Sequence, residues 1–181
     1  MKVQETPLKD CYIIEPTVFG DSRGFFMESF NQKKFNELTG TNYQFVQDNH
    51  SRSSKGVLRG LHYQIQNPQG KLVRVTSGEV FDVAVDLRKS SITFGKWYGV
   101  FLSGENMKQL WVPPGFAHGF CVLSDAADFL YKTTDYYYPE YDRCILWSDG
   151  DIGVKWPEMS TPLLSEKDLR GSSFEKAEVY S

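Results

Sequence analysis

The feature that most constrains this chain is its rhythm: short apolar runs rich in β-branched and aromatic residues, broken repeatedly by turn residues. Runs of this kind lie at Tyr12–Val18, Phe25–Phe30, Tyr43–Asn49, Gly56–Tyr63, Lys71–Ser77, Glu79–Leu87, Thr93–Leu102, Gln109–Val112, Gly119–Leu123 and Phe129–Thr134. Val, Ile, Phe, Tyr and Thr suit pleated, half-buried surfaces, so each run is expected to be a strand. In Phe81-Asp82-Val83-Ala84-Val85-Asp86 the alternation places Phe81, Val83 and Val85 on one face. Ser77-Gly78-Glu79, Ser103-Gly104-Glu105 and Pro113-Pro114-Gly115 supply turns. Two short helices are expected: one over Asn31–Leu38, ended by Gly40, and one starting at Ser165, with Ser165 as N-cap and Asp168 at the third helical position. Many strands at close spacing predict a mainly β chain folded as a jelly-roll sandwich or barrel with a few short helices, one domain over 1–181.

Composition narrows the function. Hydrophobic residues make up 40% of the 181, enough for a packed core, and 20 Lys and Arg against 23 Asp and Glu give a net charge of −3. That balance offers no reason to expect a nucleic-acid polymer. Cys11, Cys121 and Cys144 lack metal or redox spacing and sit among apolar residues, as expected of reduced packing cysteines in the cytoplasm. The polar start Met1-Lys2-Val3-Gln4-Glu5-Thr6 has no secretory leader character, and no apolar run is long enough to span a bilayer.

Three histidines are present: His50, His62 and His118. In an unbroken strand Arg59 and His62, three apart, would face opposite ways, but a bend at Gly60 would bring them together. Taken alone, a strand-end histidine with solvated cations nearby is the plainer interpretation. The run Pro113-Pro114-Gly115-Phe116-Ala117-His118-Gly119-Phe120 resembles the second half-motif of the cupin barrels. Those barrels often hold a metal through a His-x-His pair and a following Glu. Here the partner of His62 would be Gln64, and Pro68 and Gln69 stand near the expected Glu. Too few His, Cys or carboxylate ligands remain, so no metal is expected.

The ordered blocks together resemble one family, the dTDP-4-dehydrorhamnose 3,5-epimerases, from about residue 12 to residue 168. They include Phe19-Gly20-Asp21-Ser22-Arg23-Gly24-Phe25-Phe26, Phe45-Val46-Gln47-Asp48-Asn49-His50-Ser51 and Leu58-Arg59-Gly60-Leu61-His62-Tyr63. Gln69-Gly70-Lys71-Leu72-Val73-Arg74, the Gly78–Asp86 run, Pro114–Phe120, Phe129-Leu130-Tyr131-Lys132 and Ile145-Leu146-Trp147 complete the match. The resemblance implies a metal-free and cofactor-free cupin that inverts carbons flanking the ketone of a dTDP-4-keto-6-deoxyhexose. Such carbons are acidic because the charge left by proton removal delocalises onto the ketone oxygen. It further implies His62 as the base paired with Asp168, Lys71 as the cation at the enolate oxygen, and Tyr131 as the acid on the other face. Arg23 and Arg59 match the family's diphosphate positions, and Glu28, Gln47, Asn49, His118 and Lys167 its substrate contacts. Asp48, Phe26 and Tyr137 would lie in or beside the pocket. Asp142 stands where the family often has Glu, and the run Tyr136–Tyr138 is bulkier than common. Close relatives act at one carbon only, so a single-carbon epimerase or ketoisomerase is the nearest alternative, and a non-catalytic sugar-nucleotide binding module the next. The resemblance also implies a cytoplasmic homodimer whose N-terminal strand joins the partner's sheet.

Overall fold

A computed structural model describes residues 1–159 and 161–181. The strands are β1 (Lys2–Glu5), β2 (Tyr12–Glu15), β3 (Val18–Asp21), β4 (Gly24–Met27), β5 (Gln47–Ser54), β6 (Leu58–Gln64) and β7 (Lys71–Ser77). They continue as β8 (Glu79–Asp86), β9 (Trp97–Ser103), β10 (Gln109–Val112), β11 (Phe116–Val122), β12 (Ala126–Thr133) and β13 (Asp142–Cys144). The helices are α1 (Gln32–Thr39) and α2 (Glu166–Leu169). One sheet runs β1-β2-β10-β7-β12-β5 and faces a second running β13-β6-β11-β8-β9, while β3 and β4 form a separate hairpin. The predicted mainly β sandwich with a few short helices is what forms.

The space between the sheets holds the core. Val73, Leu110 and Phe129 from the first sheet meet Val80, Ala84, Phe116 and Phe120 from the second. Phe120 and Phe129 stack at 4.1 Å and 11°, joining β11 to β12 across the sandwich. Such a pair is worth about 0.5–1.5 kcal/mol beyond its burial. A second core layer lies outside the other sheet, where Leu58, Val83, Val85 and Ile145 are covered by Trp156, Leu164 and Val179 of the C-terminal segment. That layer carries the chain back across β6 and so places α2 behind the site.

Two strands, β7 and β10, begin and end where the sequence places them. Helix α1 begins one residue later than expected because Asn31 is its N-cap, its side chain accepting from the Lys34 amide at 3.1 Å, and Gly40 closes it at φ 67°. Strand β5 lies further along than expected, over Gln47–Ser54 rather than Tyr43–Asn49. All eight of its residues are polar, since it is an edge strand with solvent on one side, so periodicity gives no sign of it. Strand β1 pairs antiparallel with β2 of its own chain, Lys2 opposite Glu15 and Glu5 opposite Tyr12, with the turn between them closed by Thr6 bonds to Leu8 and Cys11, and it forms an edge of its sheet. No helix among the described residues is long and apolar enough to cross a membrane.

Candidate active site

A cavity of about 280 Å³ opens between the two sheets, with Arg59, His62 and His118 on one wall and Lys71 and Tyr131 on the other. The wall bearing His62 depends on a bulge. Along β6 and β11, His62 pairs with His118 but Arg59 pairs with Phe120, so three steps on one strand match two on the other. The extra residue resets the alternation and turns Arg59 and His62 to the same side. Gly60 makes this possible at φ 121°; a Cβ there would stand 2.6 Å from the Gly119 Cα and 2.8 Å from the His118 carbonyl oxygen. The bulge also frees the Gly60 amide, which donates to Asp168 Oδ1 at 3.0 Å.

Asp168 serves two masters through its two oxygens. Oδ2 accepts from the Ser165 hydroxyl at 2.5 Å and the Ser165 amide at 3.3 Å, completing the capping box that starts α2. Oδ1 is left for Gly60 and for His62, whose Nε2 lies 2.6 Å away. The N–H of Nε2 is off the line to the oxygen, so the contact is an electrostatic pairing rather than a linear hydrogen bond. Burial raises the Asp168 carboxyl, but His62, Ser165 and the Gly60 amide outweigh it and hold the group well below the usual carboxylate range. Burial lowers the His62 imidazole, helped by Lys167 and Lys71 and opposed by Asp168. His62 is therefore neutral near pH 7, with Nδ1 free to take a proton.

The opposite wall carries the complementary groups. Burial lowers the Lys71 ammonium to about 8, with Asp142 acting the other way. Burial raises the Tyr131 phenol, so it stays protonated through the neutral range. These shifts predict a bell-shaped pH profile of kcat/KM. The acid limb falls as His62 gains a proton, below the ordinary imidazole value, and the alkaline limb falls as Lys71 loses its charge near pH 8. Because Asp168 raises the His62 value, Asp168→Asn should move the acid limb further toward acid while lowering the plateau rate by about a hundredfold. An acid limb that stays in place or moves toward neutral pH would disprove the pairing.

Other expected residues gather at the rim. Gln47 bonds Asn49 Oδ1 at 3.0 Å and accepts from the Tyr137 amide at 3.3 Å; the Tyr137 hydroxyl donates to Asp142 Oδ2 at 2.8 Å, and Lys167 pairs with the same oxygen. Arg59 is steadied by Ser53 Oγ at 3.1 and 3.2 Å. Four expected residues are not brought to this cavity within one chain. Asp48 lies between Gln47 and Asn49, so alternation turns it to the outer face of its sheet, where Lys132 holds it at 2.8 Å. Glu28 is tied to Lys34 and Asn31 ahead of α1. Arg23 pairs with Asp21 on the β3–β4 hairpin, and Phe26 stands on the same hairpin, 70% exposed. A larger cavity of about 440 Å³ lies on that outer face against Phe30, Asp48, Arg74 and Lys132, and it contains no imidazole–carboxylate pair with a buried acid.

Sequence reasoning passed over Asp82, which is fully buried on the core side of β8 with both oxygens 3.0 Å from His118 Nε2. The signal was present: an acidic residue at an alternate position to Phe81, Val83 and Val85. Cys144, expected only as a packing cysteine, forms a trio within 4.8 Å with His62 and Asp168. Burial raises its thiol to about 12, and the Asp168 oxygens are already committed, so the trio is best described as the His–Asp pair beside a neutral thiol.

The sequence model for dTDP-4-dehydrorhamnose 3,5-epimerase matches residues 5–176. The chain is 62% identical over 181 residues to the dTDP-4-dehydrorhamnose 3,5-epimerase of Shigella flexneri, covering 99% of both chains. It is 59% identical over 180 residues to that of Pseudomonas aeruginosa, again covering 99% of both. Among solved structures, the dTDP-6-deoxy-D-glucose-3,5-epimerase of Legionella pneumophila in complex with dTDP-4-keto-L-rhamnose superposes with a TM-score of 0.95 at 54% identity, covering 98% of this chain and 94% of that one.

Proposed function

The chain belongs to the dTDP-4-dehydrorhamnose 3,5-epimerase family, and on that premise we propose that the cavity between the sheets performs the two inversions with His62 and Tyr131 on opposite walls. The enzyme is an isomerase that converts dTDP-4-keto-6-deoxy-D-glucose to dTDP-4-keto-L-rhamnose in dTDP-L-rhamnose biosynthesis. His62 removes the proton beside the ketone, and the C–H electron pair moves to form the C–C double bond of the enolate as the carbonyl electrons pass to oxygen. The Lys71 ammonium faces that oxygen. Preorganised charge in such a cavity is worth about 3–4 kcal/mol of barrier. Tyr131 returns a proton from the other side, which inverts the carbon; His62 then gives its proton to solvent, and solvent reprotonates the phenolate, so both groups are reset. The same events at the second flanking carbon complete the product, with no net change in oxidation state.

The observation that carries this reading is the division of the cavity into a base wall and an acid wall, with His62 backed by a buried carboxylate. Arg59 suits the diphosphate, since a guanidinium fork matches phosphate oxygens, and Gln47, Asn49, Tyr137, Asp142, Lys167 and His118 suit the rest of the nucleotide sugar. The enzyme works in the cytoplasm as a homodimer. Support for the dimer is the β3–β4 hairpin, where Phe19, Phe25 and Phe26 are 63%, 61% and 70% exposed, an apolar surface that favours a second copy. Arg23 shares that hairpin and would serve the second copy's cavity.

Incubation with dTDP-4-keto-6-deoxy-D-glucose in heavy water tests the whole reading. Deuterium at both C3 and C5 in a rhamno-configured product is expected. Deuterium at one carbon alone would make this a single-carbon epimerase, and binding without exchange would reduce it to a binding module.

A further inference from the structure

The cavity holds a second imidazole–carboxylate pair besides His62–Asp168. Strand β11 sets His118 directly opposite His62, and the bulge turns both rings into the same space. Behind His118 stands Asp82, with no exposed surface, on the face of β8 that looks into the apolar layer of Val80, Ala84, Phe120 and Phe129. Both of its oxygens lie 3.0 Å from His118 Nε2, and among the described residues no other group bonds to them. A carboxylate in such surroundings costs several kcal/mol unless it is paired, and an apolar residue of similar volume would pack there without that cost. Its presence there calls for a reason beyond stability.

We propose that Asp82 is a positioning residue of this epimerase, acting on the substrate only through His118; the proposal rests on the cavity being the epimerase site. The chemistry is directional. A carboxylate only accepts, so Nε2 must carry the hydrogen, and both oxygens at equal distance hold the ring against rotation. In the neutral ring that tautomer leaves Nδ1 as an acceptor. An acceptor pairs with a sugar hydroxyl and not with the C4 ketone oxygen, which is itself an acceptor. His118 therefore grips a hydroxyl of the hexose, and the ketone oxygen is left to Lys71. The two walls share the sugar: one fixes the ring orientation beside His62, the other stabilises the charge that develops.

The test has a spectroscopic and a kinetic arm. In protein labelled with ¹⁵N at histidine, His118 should be protonated at Nε2 and bare at Nδ1, and Asp82→Asn should give a mixture of tautomers. In kinetics on dTDP-4-keto-6-deoxy-D-glucose, Asp82→Asn should lower kcat by about tenfold to a hundredfold with KM changed by no more than about threefold. Affinity for dTDP, which lacks the hexose, should be unchanged. The double variant Asp82→Asn/His118→Asn should be no slower than His118→Asn alone, since the first residue works through the second. Wild-type His118 protonated at Nδ1 overturns the proposal without any variant being made. So does an Asp82→Asn enzyme with wild-type kcat, or a double variant whose loss is the product of the two single losses. A wild-type protein inactive on this substrate would count against the assigned reaction, while the tautomer measurement would still decide the role of Asp82.

Discussion

Replacing His62 by Asn should lower kcat for inversion at both carbons by about 10³–10⁴-fold, the upper range for a positioned general base. That loss corresponds to about 4–5.5 kcal/mol of barrier. Asn keeps a polar side chain of modest size but no group that titrates near neutrality. The fold should survive the change. Asp168 would still be held by the Gly60 amide and by Ser165, so its buried carboxylate would not be stranded. Circular dichroism and dTDP affinity should match the wild type, while a coupled assay with a reductase specific for the inverted ketosugar shows the loss. An equal fall in dTDP affinity would mean that the substitution had disturbed the cavity rather than removed a base. Turnover within tenfold of the wild type would remove His62 from the chemistry.

The fold was legible in the sequence because strand runs and turn residues carry their own signal. Lys71–Ser77 and Gln109–Val112 were readable to the residue, since both alternate or run apolar in the core. The polar edge strand Gln47–Ser54 was displaced, because one side meets solvent and the other lines a polar cavity, leaving no apolar period to detect. The site was legible only in part. A bend at Gly60 was readable as a way to join Arg59 and His62, but a bulge with β11 depends on pairing that no local pattern encodes. Asp168 posed a choice between helix cap and imidazole partner; the structure divides the two tasks between its two oxygens, which no spacing rule could foretell. Asp48 went astray because adjacent residues of a strand point opposite ways, and a motif names a run without stating its faces. Arg23 and Phe26 belong to an exposed hairpin, so their use depends on a neighbour and not on their own chain.

The second large effect concerns the opposite wall. Tyr131 comes from β12 in the first sheet, whereas His62 comes from β6 in the second, so one group cannot do the work of the other. Tyr131→Phe removes the hydroxyl and keeps the ring that packs near Phe129, at a centroid distance of 6.1 Å. His62 should still take a proton and return one from solvent to the same side, whereas delivery from the far side should fail. Inverted product should therefore form about 10²–10³-fold more slowly, with the enolate still forming. The most direct measurement follows the substrate of Tyr131→Phe in heavy water by NMR. Deuterium should enter beside the ketone at a rate near that of the wild type, in sugar that keeps its original configuration. Inversion at the wild-type rate would contradict the division of labour between the two walls, because the far-side proton would then come from another group.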